Sequence, residues 1–388
     1  MAEETRRLAW LDALRGWAIL GVVFVHTRQY GLEEEGLPWL FKFIVHQGGK
    51  GVQLFYLLSA FTMYYTYIRH SRREKFYEGN FFIRRFFRIA PLYYLAIAYY
   101  LWQDGFGPRP WLGEDKFISL SNIISNFLFV SGVHPYWINS LVPGGWSIAV
   151  EMSFYLLVPF LIIYVNSKAK GLALLTYTLI IYLVLSVIFL KFPMIPNYEL
   201  WVNYLVFYLP SQMPVFALGI ILYFAVFTED AVKREERKGA LLYGSLAAVI
   251  AAAIYFATGW KMLPHIAISL FFFALIYICS RFKLPLIENK ITIFIGKLSY
   301  TLYLVHHAPL DQLNKLHLLD FIGIGSPLQA VCNFLLRYII VLTASIAISA
   351  VIYYGIEQPF INMGKKIIKF REERNLSLKI AIRKAVPF

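Results

Sequence analysis

An all-α integral membrane protein, a bundle of about ten transmembrane helices, is the fold class this sequence predicts, and three observations predict it. Of the 388 residues, 59% are hydrophobic and only 15% charged, where a soluble domain carries about 25% charged residues. Ten predominantly apolar runs approach the length that crosses a bilayer, which is about 20 residues at 1.5 Å each for roughly 30 Å of hydrocarbon. The basic residues, finally, crowd into alternate loops. A single water-soluble core is excluded, and the net charge of +14 points to membrane lipid and not to nucleic acid, because in so apolar a chain loop charge sets topology.

The expected spans are residues 8–27, 49–68, 86–102, 146–165, 171–190, 204–227, 239–258, 264–280, 291–309 and 330–356. An eleventh apolar stretch, 123–133, is too short to cross and reads as a re-entrant or interfacial helix. With both termini in the cytoplasm, and with Lys50 and Arg88 at the ends of their spans counted with the adjoining loops, the inner loops and tail hold 26 of the 37 lysines and arginines, the outer loops hold eight, and Arg15, Lys297 and Arg337 fall inside spans. That asymmetry is the positive-inside signature. Trp39, Trp102, Trp111, Trp137, Trp146, Trp201 and Trp260 fall near the outer interface, where an aromatic belt belongs. The first span carries Asp12 and Arg15 and no small-residue cleavage site follows it, so it reads as an uncleaved span. Residues 1–361 read as one membrane domain. Residues 362–388 form a basic tail in which apolar and cationic residues interleave, suited to a helix on the anionic inner leaflet or to a solvated tail. Cys279 and Cys332 lie far apart in apolar runs, with neither disulfide nor zinc spacing.

An ionisable side chain inside a span costs at least ~2.5–3.5 kcal/mol, so each one marks a candidate site. Arg15 and His26 stand 11 residues apart on the first span. Eleven steps of about 100° end only ~20° past three full turns, so the two share a face about 16 Å apart along the axis. Arg15 can instead snorkel beside Asp12, and His26 can sit wetted at the interface. Glu151 enters the fourth span from the outer side, at the expected depth of His26, and His306 reaches a similar depth on the ninth. His307 should be turned about 100° away on a regular helix. A carboxylate with histidines at one depth suits acid/base chemistry, or else a buried network that ties spans together. Before the third span stands Arg84-Arg85-Phe86-Phe87-Arg88. Arg84 and Arg88 share a helix face with Arg85 beside them, so three guanidinium forks can converge on phosphates, or anchor the span by charge alone.

Six segments, in this order, resemble the acyltransferase 3 family of membrane O-acyltransferases. LDALRGWAILGVVFVH (11–26) is similar to its opening signature, whose Arg and His fall on Arg15 and His26. GVQLFYLLSAF (51–61) resembles its second-span motif, RRFFRIAPLYYL (84–95) its arginine loop, and WSIAVEMSFYLL (146–157) the fourth-span motif that places an acidic residue on Glu151. GKLSYTLYLVH (296–306) and IEQPF (356–360) resemble the closing motifs. Two positions depart: Gln53 stands where the family usually has an acidic residue, and Ala60 where it has a glycine. Many relatives carry a soluble esterase-like domain after the last span, and the 31 residues after Glu357 leave no room for one.

The resemblance implies transfer of an acyl group, most often acetyl from acetyl-coenzyme A, to a hydroxyl on an envelope glycan or lipid-linked saccharide, in the plasma or inner membrane. On that reading Arg84, Arg85 and Arg88 meet the donor's phosphates, with Arg15 deeper along the path of its arm. His26 is the general base, Glu151 orients or polarises it, and His306 lines the site. No metal is called for. Donor, acceptor and membrane lipid are the expected partners, nucleic acid is not, and self-association is left open. The competing class is a proton-coupled transporter using Glu151, His26 and His306 as a relay, against which stands the lack of paired Gly/Pro-broken spans in corresponding halves.

Overall fold

A computed structural model describes residues 9–31, 36–112, 117–227, 264–322 and 325–385, with Leu242, Tyr243 and Leu246. Among the described residues the regular structure is all helix. In chain order the α-helices are α1 (Ala9–His26), α2 (Trp39–Gln47), α3 (Gly51–Ser71), α4 (Tyr77–Asp104), α5 (Leu120–Phe127), α6 (Gly145–Tyr164), α7 (Lys168–Lys191) and α8 (Tyr198–Phe207). They continue with α9 (Leu209–Phe227), α10 (Pro264–Arg281), α11 (Lys290–Lys297), α12 (Ser299–Val305), α13 (His307–Lys315), α14 (Pro327–Ile352) and α15 (Gln358–Ala385).

Among the described residues, six helical stretches are long and apolar enough to cross a membrane: Ala9–Tyr30, Gly145–Tyr164, Lys168–Lys191, Tyr198–Phe227, Pro264–Arg281 and Pro327–Arg374. The chain is therefore a membrane protein. Their surfaces support this, since Leu156, Phe160 and Ile163 on α6 and Ile181, Val184 and Ile188 on α7 are exposed while Ser59, Gln53, His306 and Arg337 are buried. Apolar faces turn outward and polar side chains inward, the arrangement a lipid solvent selects. The sequence-expected spans 49–68 and 86–102 are continuous helix within α3 and α4. They fall short of the others in apolarity because they carry Gln53, Ser59, Thr62 and the arginine run, most of which line the cavities described below. The expected span 239–258 lies outside the described residues. The expected short helix at 123–133 is α5 followed by a single 3₁₀ turn at Ser131–Val133.

The ninth expected span is not one helix. It is broken at Leu298 and at His306 into α11, α12 and α13. The fourteenth helix passes through a π turn, Tyr353–Glu357, before α15. Pro359 lacks the N–H and crowds the carbonyl four residues back, and a widened turn at this point accommodates it. The same turn brings Glu357 inside, 3% exposed, where it accepts a hydrogen bond from Thr301 Oγ1 at 2.5 Å. The basic tail neither stands free nor separates from the bundle as far as its side chains are described. It continues the last span and packs on α4, with Glu372 accepting from the backbone N–H groups of Lys75 (3.2 Å) and Phe76 (3.1 Å) and from Asn80 Nδ2 (2.8 Å). A carboxylate there satisfies orphan donors at the start of the arginine-bearing helix and complements its dipole.

Helix α1 is the central post, packed along α11, α3 and the 3₁₀ turn Gly48–Lys50. Glycines let the backbones touch. A Cβ on Gly296 would lie 1.7 Å from the Asp12 carbonyl oxygen, and one on Gly16 would lie 2.2 Å from that of Thr292. These contacts set the register that aims Arg15, paired with Asp12, at one cavity and His26 at the other. Gly219 supplies the missing side chain opposite Ala60, whose Cβ would be 2.8 Å from a Cβ built on Gly219. The close approach of α9 to α3 is kept although the second-span motif has alanine. Gly296→Ala is expected to force α1 and α11 apart and cost at least the ~1–3 kcal/mol of an overpacked core; thermal unfolding in detergent checks it, with Gly355→Ala, whose Cβ meets nothing within 4 Å, as the comparison.

Candidate active site

Two cavities meet inside the bundle. The smaller, about 230 Å³, is lined by Arg15, Ser59, Thr62, Arg85, Arg88, Glu151, Tyr155, Tyr300 and Tyr303. The larger, about 850 Å³, is lined by His26, Lys50, Gln53, Asn139, Trp146, Phe207, Tyr303, His307 and Asp311, among others. Val52 and Tyr303 border both.

In the arginine cavity, Arg15 is held from two sides. Its Nη1 donates to Asp12 Oδ1 and its Nη2 to Thr62 Oγ1, each at 3.0 Å. The i, i+3 pair on α1 thus fixes the fork, and α3 supplies a second acceptor. Helix α4 sends in Arg85 and Arg88, three residues apart on one side of the helix. The Arg85 guanidinium lies over the rings of Tyr155 (5.6 Å) and Phe81 (5.9 Å), leaving its Nε buried without a hydrogen-bond partner. Among the described residues Glu151 is the one carboxylate lining this cavity. It accepts from Ser59 Oγ and from Tyr155 OH, both at 2.5 Å.

Arg84, expected to converge with its neighbours, turns the other way. It donates to both oxygens of Glu74, at 3.0 and 2.9 Å, and does not line the cavity. Burial alone would raise the Glu74 carboxyl, but hydrogen bonds from Arg84 and Asn80 outweigh it and hold it below its ordinary value. Arg84→Gln is expected to leave donor affinity within about threefold and to lower stability at neutral pH. Because the folded-state value is depressed, that stabilisation is present above the unfolded value and is lost as pH falls through the folded one. Unfolding measured against pH in both proteins checks this.

Glu151 stands with the arginines and not with the histidines. A regular helix puts it at the expected level, but its side chain leaves α6 toward α3 and α4. Between it and the histidines stand Ser147 and Tyr303: Ser147 Oγ donates to Tyr303 OH at 2.8 Å, and Tyr303 OH donates to the Gly144 carbonyl at 3.0 Å. Gly144 has φ +76°, and a Cβ on it would lie 2.6 Å from the Tyr303 hydroxyl. Glycine is needed there both for the left-handed backbone and for the space.

In the histidine cavity, α1 ends on His26 at the break between α12 and α13. The His26 ring centroid lies 5.2 Å from that of His306 and 4.5 Å from that of His307, which are 4.2 Å apart. Two consecutive residues can face one partner because the helix is interrupted at His306. His306 Nδ1 lies 2.8 Å from the Tyr303 carbonyl oxygen and 3.2 Å from that of Leu302. A carbonyl only accepts, so Nδ1 carries the proton and Nε2 presents its lone pair. The Nε2 atoms of His306 and His307 are buried without a hydrogen-bond partner. One ligand atom from each of the three rings lies within 4.8 Å of the others, so these residues could hold a metal ion. Trp146 stacks on Phe207 at 4.3 Å between centroids, and Trp111 stacks on the same ring at 5.6 Å.

The sequence brought Arg15, Arg85, Arg88 and Glu151 into view, and the structure gathers them in one cavity; it sets His306 against His26, but the wall of the other cavity is formed by His26 and His307, with His306 packed behind them. Sequence reasoning missed Ser59, Tyr155, Tyr303 and His307. Tyr155 was findable, standing four residues after Glu151 on the same helix. Residues 8–354 match the family described as an acyltransferase domain. The chain belongs to the acyltransferase 3 family. It is similar to the O-acetyltransferase OatA of Staphylococcus aureus, in strains NCTC 8325 / PS 47 and COL, at 23% identity over 384 residues, 94% of this chain and 59% of that protein. The chain thus spans about three-fifths of the length of these relatives. A shorter likeness, 34% over 97 residues, covers 24% of this chain and 43% of protein 2 in the picA locus of Rhizobium radiobacter. No solved structure matches the chain.

Proposed function

We propose that this protein is a membrane O-acyltransferase that moves an acyl group, acetyl foremost, from cytoplasmic acyl-coenzyme A to a hydroxyl of an extracytoplasmic or lipid-linked saccharide. The observation that carries the reading is the pair of cavities bordered by the same Tyr303 and Val52, one cationic and one lined with imidazole. The loop charges support ten spans in a plasma or inner membrane with both termini in the cytoplasm, which turns the arginine cavity inward and the histidine cavity outward. OatA, an O-acetyltransferase by name, is similar along nearly the whole chain.

The arginine cavity, about 230 Å³, is smaller than the roughly 300–1,000 Å³ of sites that enclose a drug-sized ligand. It suits the acyl end and part of the pantetheine arm, with Arg85 and Arg88 toward the donor's phosphates and Arg15 along the arm. The larger cavity suits a saccharide. The Trp146–Phe207–Trp111 stack offers flat apolar faces to a sugar ring, while Asn139 and Gln53 offer hydrogen bonds. In the transfer step His26 takes the proton of the acceptor hydroxyl, whose oxygen bonds to the acyl carbon as the carbon–sulfur bond breaks. Coenzyme A leaves as thiolate and takes a proton from solvent, to which His26 returns the one it accepted. Glu151, joined to Ser59 and Tyr155, sits beside the arginines, so its part is to orient the donor end of the site and not the base. His306 holds His26 in place by packing.

The test is thiol release from acetyl-coenzyme A by the purified protein in detergent, with and without envelope saccharide, together with mass spectrometry of the saccharide. Thiol release accompanied by acetylated saccharide is expected. A protein that leaves the thioester intact under all acceptors would be left to the transporter reading, which proton-coupled uptake into liposomes examines.

A further inference from the structure

We propose that His26, His306 and His307 form a binding site for one divalent transition-metal ion of the Zn²⁺ class, and that its occupancy switches transfer off. The inference rests on the proposed function in one respect, the role of His26 as base; the metal site itself does not depend on it.

The geometry is that of a prepared ligand set. Three imidazoles from two chain segments present one ligand atom each within 4.8 Å of one another. His306 and His307 are only 1% and 4% exposed, yet their Nε2 atoms have no hydrogen-bond partner. An orphaned buried lone pair costs on the order of 1–3 kcal/mol, and two in one place call for a shared partner. The supporting hydrogen bond is also present: His306 donates Nδ1–H to the Tyr303 carbonyl at 2.8 Å, the contact that fixes the tautomer and ring plane of a metal-ligating histidine. A tetrahedral ion with bonds of about 2.0–2.1 Å holds its nitrogens roughly 3.3 Å apart. Closing to that spacing takes ring rotation, for which His26, the half-buried member at the end of its helix, has the most room.

The donor set selects the ion. Three neutral imidazoles suit zinc, copper or nickel and disfavour magnesium and calcium, which take oxygen ligands. The fourth position opens to the large cavity, because His26 and His307 line it. Asp104 and Asp311 line the same cavity and offset part of the added charge. A bound ion occupies the lone pair through which His26 would accept the acceptor's proton, so metal and substrate proton compete for one nitrogen.

Chelator-stripped protein in detergent is equilibrated with Zn²⁺ or Co²⁺ and desalted, and the metal is counted by mass spectrometry. One equivalent of zinc is expected in wild type, with the visible absorption of tetrahedral cobalt in the Co²⁺ sample. His307→Gln and His306→Gln are each expected to weaken retention at least tenfold while unfolding at wild-type temperature. Substoichiometric metal in folded wild-type protein, or equal retention by the double variant, would overturn the site. Zinc-loaded protein should release thiol from acetyl-coenzyme A at less than a tenth of the stripped rate, restored by chelator; unchanged or higher activity would overturn the switch. Failure of the base reading looks different: the His26→Ala protein would keep its transfer rate whatever the metal count shows.

Discussion

A His26→Ala protein is expected to transfer acyl groups about 10²–10⁴-fold more slowly than wild type while binding acyl-coenzyme A with unchanged affinity. The reason is the separation of the two cavities. His26 borders the large one and Arg15, on the same helix, the small one. Removing the imidazole leaves the Arg15 fork with both of its acceptors, Asp12 and Thr62. The measurement is a single-turnover rate beside a donor titration, in protein whose unfolding temperature matches wild type. A fall in donor affinity equal to the fall in rate would show that the cavities act as one site. Full transfer by His26→Ala would move the base to His307, whose Nε2 is also free of hydrogen bonds.

How far the site was legible in the sequence depended on whether its helices are regular. Arg15 and His26 were placed on one face by counting 100° steps, and α1 is regular, so each reaches a cavity. Counting failed where the ladder breaks. His307 was turned away from the site on the assumption of an unbroken ninth span, but the chain restarts its helix at His306 and swings the next ring back to His26. Depth along a span was equally insufficient for Glu151. Its level was read from sequence position, whereas its direction is set by Ser59 on α3 and Tyr155 on its own helix. The arginine run shows the third failure. Helical spacing put Arg84 and Arg88 on one face, yet a carboxylate ten residues before Arg84, Glu74, folds back and takes it. A charge census could not foresee that, because it sees how many cations a loop holds and not which are already neutralised. The start of the tail shows the same limit: interleaved lysines and apolar residues suit a leaflet, but composition cannot show that Glu372 accepts from backbone donors at the start of α4.

Replacing Arg85 and Arg88 together with glutamine is expected to weaken acyl-coenzyme A binding at least a hundredfold, where Arg84→Gln does not. A hydrogen bond to a charged group is worth about 1.5–3 kcal/mol, so two together exceed the ~2.7 kcal/mol that a hundredfold loss represents. The premise is that these two cations face the cavity and Arg84 does not. Arg84 spends both arms of its fork on Glu74, whereas Arg85 rests on aromatic faces and Arg88 lines the cavity with Glu357 and Glu151 as its nearby carboxylates. Those carboxylates offset part of the field, and an entering anion meets the remainder. Glu151 tempers the field, and its own acceptor capacity is drawn off by Ser59 and Tyr155. Removing Glu151's charge should therefore tighten rather than weaken donor binding, so Glu151→Gln in the wild-type background provides the sign check. Binding is read by titration calorimetry with a non-hydrolysable acyl-coenzyme A analogue at two ionic strengths, since added salt should erode the wild-type affinity and leave the double variant nearly unaffected. Equal and small losses from Arg84→Gln and from the Arg85/Arg88 pair would return the whole run to the role of a topogenic anchor.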